Sequence, residues 1–78
     1  MPKLCDISGK KLVTIFENFG FVIIGQKGSH IKMSRFHGVT QTLVIPNHTS
    51  ISKGTLKTIY LQALAYISES ELKNLFYS

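Results

Sequence analysis

The residues of this chain most able to do chemistry are a histidine and the cations around it. His30 follows Lys27, Gly28 and Ser29 and precedes Lys32 and Arg35. An imidazole ionises near neutral pH, so it can take a proton from one group and return it to another. RNA carries an internal nucleophile, its 2′-hydroxyl. A base that removes that proton, with cations to counter the charge building on the phosphate, suffices in principle without a metal. The plainer reading is an inert surface histidine, because a lone histidine is a weak signal. Gly28 is read as a turn requirement, since glycine is at ease at positive φ. Ser29 is either a phosphate ligand or an ordinary hydroxyl at the start of a strand. Lys27 and Lys32 either hold phosphates or are solvated surface.

The other candidates are sparser. Lys10, Lys11, Lys53 and Lys57 sit near predicted helix starts, which favour anions, so a phosphate groove is possible there. His48, after Pro46 and Asn47, is a second RNA contact or a loop-shaping side chain, and the structural role is preferred. His37 lies at a turn tip facing solvent. The three histidines lack the close spacing of a metal site, and no Cys or acid cluster joins them, so no metal and no cofactor are expected. The single Cys5 excludes an internal disulfide framework and a Cys-rich zinc site, and it has no evident base partner. There is no Gly-rich phosphate loop and no carboxylate pair suited to acid–base work.

These residues must be positioned by local elements. Ser8 caps a predicted helix running through about Phe19, with Leu12, Ile15, Phe16 and Phe19 on one stripe and Gly20 ending it. Residues 21–26 read as a strand, Lys27-Gly28 as a two-residue turn, 29–35 as an alternating strand, Phe36-His37-Gly38 as a second turn, and 40–45 as a third strand stopped by Pro46. Short turns make this an antiparallel meander. A helix from about Lys53 or Gly54 presents Leu56, Ile59, Tyr60, Ala63 and Ile67. Ser68 to Glu71 matches a capping box for a short last helix with Leu72, Leu75 and Phe76 inward. Two helices on one face of a three-stranded sheet give a two-layer α+β domain of order α-β-β-β-α. If Lys27-Gly28 is the turn, Gln26 pairs with Ser29, Gly25 with His30, and Ile23 with Lys32. The helix-packed face then holds Val22, Ile24, Ile31 and Met33. The open face holds Phe21, Ile23, Gly25, His30, Lys32 and Ser34, with His30 across from a residue that has no side chain.

Composition narrows the class. The chain has 78 residues, 44% of them hydrophobic, so it reads as one folded domain (1–78) with too little length for a repeat array or a two-domain enzyme. The net charge is +5. It is concentrated in residues 1–57, where eight cations face only Asp6 and Glu17. Nucleic acid or an acidic protein surface is the natural partner of such a field. No apolar run approaches a membrane span, and the N-terminus lacks the apolar core of a signal peptide, so a cytoplasmic location is expected.

One resemblance covers residues 1–67. ISGKK (7–11), a helix ending at Gly20-Phe21, QKGSH (26–30), IPNH (45–48) and KGTL (53–56) occur in the order and spacing of the HicA family, small mRNA interferases of toxin–antitoxin pairs. The resemblance implies a double-stranded-RNA-binding-domain-like fold and ribosome-independent cleavage of single-stranded mRNA. It also implies inhibition by a HicB-like antitoxin, and catalysis by the histidine of Gly28-Ser29-His30. Lys10, Lys11, Lys27, Lys32, Arg35 and Lys53 are then the candidate RNA-binding set. Two other functions use the same residues differently: a non-catalytic RNA-binding module, including a toxin relic, and a protein-interaction domain with no RNA role.

Overall fold

A computed structural model describes residues 3–77; the expected domain's residues 1, 2 and 78 lie outside the described residues. The elements are α1 (Gly9–Glu17), β1 (Val22–Lys27), β2 (His30–Phe36), β3 (Thr40–Pro46), α2 (Lys53–Ala63) and α3 (Glu69–Phe76). Each expected element is present, but α2 ends at Ala63, so Ile67, expected on its apolar side, is buried instead from the turn that leads to α3. The three strands form one antiparallel sheet in the order β1-β2-β3. No helix among the described residues is long and apolar enough to cross a membrane.

The helices start where the sequence supplies oxygen acceptors. The Ser8 hydroxyl accepts from the Lys11 amide, and the Ser52 hydroxyl accepts from the Thr55 amide, each satisfying a donor that has no partner inside its helix. Helix α1 buries Leu12, Ile15 and Phe16, and α2 buries Leu56, Ile59, Tyr60 and Ala63, as their apolar spacing predicts. Both lie over β3. Ile31 and Met33 of β2 and Leu43 and Ile45 of β3 point into the same core. Phe16 sits at its centre, with ring centroids 5.9 Å from Phe21 and 6.2 Å from Phe76. Leu72 and Phe76 bring α3 into the core. Lys3–Cys5 then run beside the end of α3, where the Cys5 amide donates to the Phe76 carbonyl at 2.7 Å.

Four further expectations are corrected. Leu75 is 42% exposed, because α3 turns only Leu72 and Phe76 inward. Ser68 is the N-cap of α3, yet its side chain makes no capping bond and lies 3.3 Å from the Ser70 hydroxyl instead. The first hairpin loop is Gly28-Ser29 rather than Lys27-Gly28, so Lys27 pairs with His30, Gln26 with Ile31 and Gly25 with Lys32. The loop needs positive φ at its first position, and Gly28 fills it with φ +58°, the glycine-first pattern of a type II′ turn. Finally, β1 is exposed along its whole length. Val22 and Ile24, expected in the packed face, are 59% and 56% exposed, and Phe21, expected on the open face, is buried. A bulge between Ile23 and Gly25 breaks the alternation there, and the helices sit over β3 at the other side of the sheet.

Candidate active site

The sheet has two unlike faces. Ile31, Met33, Leu43 and Ile45 point to the helices, so the residues between them point away. His30, Lys32 and Val44 are exposed on that open side. With the register found, Lys27 is the direct cross-strand neighbour of His30, and Gly25 faces Lys32. Cross-strand neighbours on one face lie about 5 Å apart at Cβ, within reach of a lysine side chain. Instead of the open space expected beside the imidazole, a cation stands opposite it. The open space expected beside His30 lies beside Lys32.

The turn itself is fixed from two sides. The Gln26 side-chain amide donates to the Gly28 carbonyl at 3.1 Å. The Asn47 backbone amide donates to the Ser29 carbonyl at 2.6 Å, and His30 pairs with Pro46. The QKGSH and IPNH segments, separate in sequence, therefore form one continuous edge. This contact carries no local sequence signal, since it depends on where β3 ends against β2.

The cations expected to bind RNA fall in four places. Lys27 and Lys32 share the open face with His30. Lys10 and Lys11 are exposed in the first turn of α1, where Lys10 joins Ser8, Asn47, His48 and Thr49 around an open cleft of about 410 Å³. Lys53 is tied down: its amine donates to the Leu4 carbonyl at 2.6 Å and pairs with Asp6 at 2.9 Å, both side chains being largely exposed. Arg35 stands apart from all of these. It alternates with Met33 toward the helices, half-buried. Its guanidinium donates to the Gln41 side chain and to the carbonyls of Phe19 and Tyr66, and it lies 4.8 Å from the Phe21 ring centre. The group joins the end of α1, β2, β3 and the α2–α3 junction, and all three of its nitrogens donate there. His37 is exposed in the β2–β3 turn, away from His30 at the other end of β2.

The electrostatic setting is one-sided. No Asp or Glu occurs between Glu17 and Glu69, so the whole sheet, both turns and the loop into α2 carry cations without acids. That acid-free run is the sequence signal that most directly marks the basic face. Among the described residues no group of three His, Cys, Asp or Glu side chains is placed to hold a metal ion. The arrangement can present an imidazole and two amines to an anion lying across the open face of the sheet.

The molecule is thus an α+β domain whose fold is like that of double-stranded-RNA-binding domains, with a histidine displayed among cations on its uncovered sheet face. Residues 9–64 match the family model for the HicA toxin of bacterial toxin–antitoxin systems, and the chain belongs to that family. No curated protein and no solved structure matches it significantly. Membership makes the protein the toxin of such a pair and implies a cognate antitoxin.

Proposed function

We propose that this toxin is an endoribonuclease that cuts single-stranded mRNA in the cytoplasm, with His30 as its acid–base group. The observation that carries the reading is the pairing of His30 with Lys27 on the open, acid-free face of the sheet, with Lys32 next along the strand. The imidazole takes the 2′-hydroxyl proton as that oxygen attacks the adjacent phosphorus; the bond from phosphorus to the 5′-oxygen breaks, leaving a 2′,3′-cyclic phosphate, and the departing 5′-oxygen takes a proton from water. Lys27 and Lys32 counter the charge that gathers on the phosphoryl oxygens. Gly28 and Ser29 set the strand start that aims the histidine, and the Asn47 amide on Ser29 holds it there. The chemistry needs no cofactor from the residues named.

The antitoxin in this reading is a HicB-like protein with an acidic surface that covers the His30 face. The charge of the toxin would speed and orient its docking more than it would add affinity. The test of the activity is incubation of the purified chain with single-stranded mRNA in excess EDTA. Fragments are expected. Intact RNA that is nonetheless bound would replace the enzyme reading with a non-catalytic RNA-binding module.

A further inference from the structure

The acid–base reading uses the sheet face and leaves the cleft at the start of α1 unexplained. Ser8, Lys10, Asn47, His48 and Thr49 line it, with a volume of about 410 Å³. That is within the usual size of a small-ligand site. Its lining offers one amine, one imidazole, one carboxamide and two hydroxyls, and no carboxylate. Among the described residues Lys10 forms no ion pair. Such a lining suits an anion that also presents hydrogen-bonding oxygens.

Both walls of the cleft are held in place. The Gly9 amide donates to the His48 carbonyl at 2.8 Å. A Cβ on Gly9 would lie 2.1 Å from the Pro46 carbonyl oxygen and 3.1 Å from the His48 nitrogen, so α1 and the β3–α2 loop meet backbone to backbone. The same loop is bonded to the catalytic strand through Asn47 and Ser29. Since His30 pairs with Pro46, the Cα atoms of His30 and His48 are at most about 13 Å apart by strand and chain geometry. That separation is short enough for one RNA strand to span.

We propose that this cleft is a second RNA subsite, in which Lys10 and His48 hold a phosphate of the strand flanking the one cut at His30. The assignment rests on His30 being the cleavage centre and adds a defined path for the RNA away from it, across the Ser29–Asn47 contact and onto the start of α1. Lys10 and His48 act by binding, and the cut phosphate is not theirs.

The test uses the full chain carrying His30→Ala, which leaves RNA uncut, and a single-stranded RNA octamer. In an NMR titration the backbone amides of Lys10, His48 and Thr49 should shift together with those of Lys27 to Lys32. Adding Lys10→Gln should weaken the octamer several-fold and make the slope of log affinity against log salt shallower by about 0.7, the value for one phosphate on a single strand. His48→Gln should weaken it without unfolding the chain. Shifts confined to residues 27–32, or an unchanged salt slope for Lys10→Gln, would overturn the subsite. Failure of the parent chain to cut RNA, with the cleft amides still shifting, would remove the cleavage reading and leave the subsite standing.

Discussion

Gly28 decides which side chain faces His30. A loop that opened on Lys27 would put that lysine at positive φ and set glycine opposite the histidine. Opening on Gly28 avoids that strain and brings the lysine into the strand beside the imidazole. The surroundings of the imidazole thus hang on a backbone preference one residue wide. Arg35 shows the opposite case, a cation whose type suggested RNA and whose place is structural. Replacing it with methionine leaves the carbonyls of Phe19 and Tyr66 and the Gln41 side chain without their donor, and the expected loss is about 2–3 kcal/mol of stability. Arg35→Lys should restore little, because one ammonium cannot span three acceptors as the planar fork does. Urea denaturation checks both. Unchanged stability in Arg35→Met would show that these bonds contribute nothing net.

At the scale of elements, local patterns were legible and tertiary placement was not. The stripe Leu12, Ile15 and Phe16 and the stripe Leu56, Ile59, Tyr60 and Ala63 predicted which helix faces are buried, because burial of a helix follows its own 3.6-residue period. Strand β1 defeated the same logic. Its apolar run reads as core, yet the helices lie over β3, and a bulge at its middle cancels the period of two. His30, its Gly-Ser-His segment and the nearby Lys27 were legible as a candidate site; the direct pairing of Lys27 with His30 and the contact from Asn47 were not, since both depend on register between strands. Gly9 is a third such case: ISGKK shows a glycine at a helix start, but only the fold shows the Pro46 carbonyl pressed against it. Gly9→Ala should therefore cost about 1–3 kcal/mol by forcing α1 and the 46–48 loop apart, although alanine is the better helix former. Thermal unfolding checks this, and a variant as stable as the parent would contradict the close approach.

For the molecule as a whole, stability and charge act on different sides. One core, centred on Phe16, joins all three helices to the sheet, and Tyr60 lies in its wall with its hydroxyl 3.3 Å from Glu69. Burial, then the nearby Glu69 carboxylate, raises the Tyr60 pKa above the ordinary tyrosine value. A raised acid pKa means that the folded state keeps this proton after the unfolded chain has lost it. The stabilisation is complete below the unfolded value of about 10 and is lost as pH rises through the folded one. Thermal stability should fall on going above pH 10, and less steeply in Tyr60→Phe; equal falls would show that Tyr60 does not contribute. The lysines at 27, 32, 53 and 57, by contrast, are exposed, and the sequence carries no acid from Asn18 to Ser68, so their field is directed outward.

The central claim is that His30 moves the proton in RNA cleavage, and one comparison addresses it. The parent chain and His30→Ala are given the same single-stranded mRNA in excess EDTA, with RNA affinity and circular dichroism measured on both. Because His30 is exposed, the variant should fold and bind RNA as the parent does, while its cleavage rate falls by at least about a hundredfold, the lower end of an acid–base contribution. Cutting by the variant at the parental rate would place the chemistry elsewhere on the molecule.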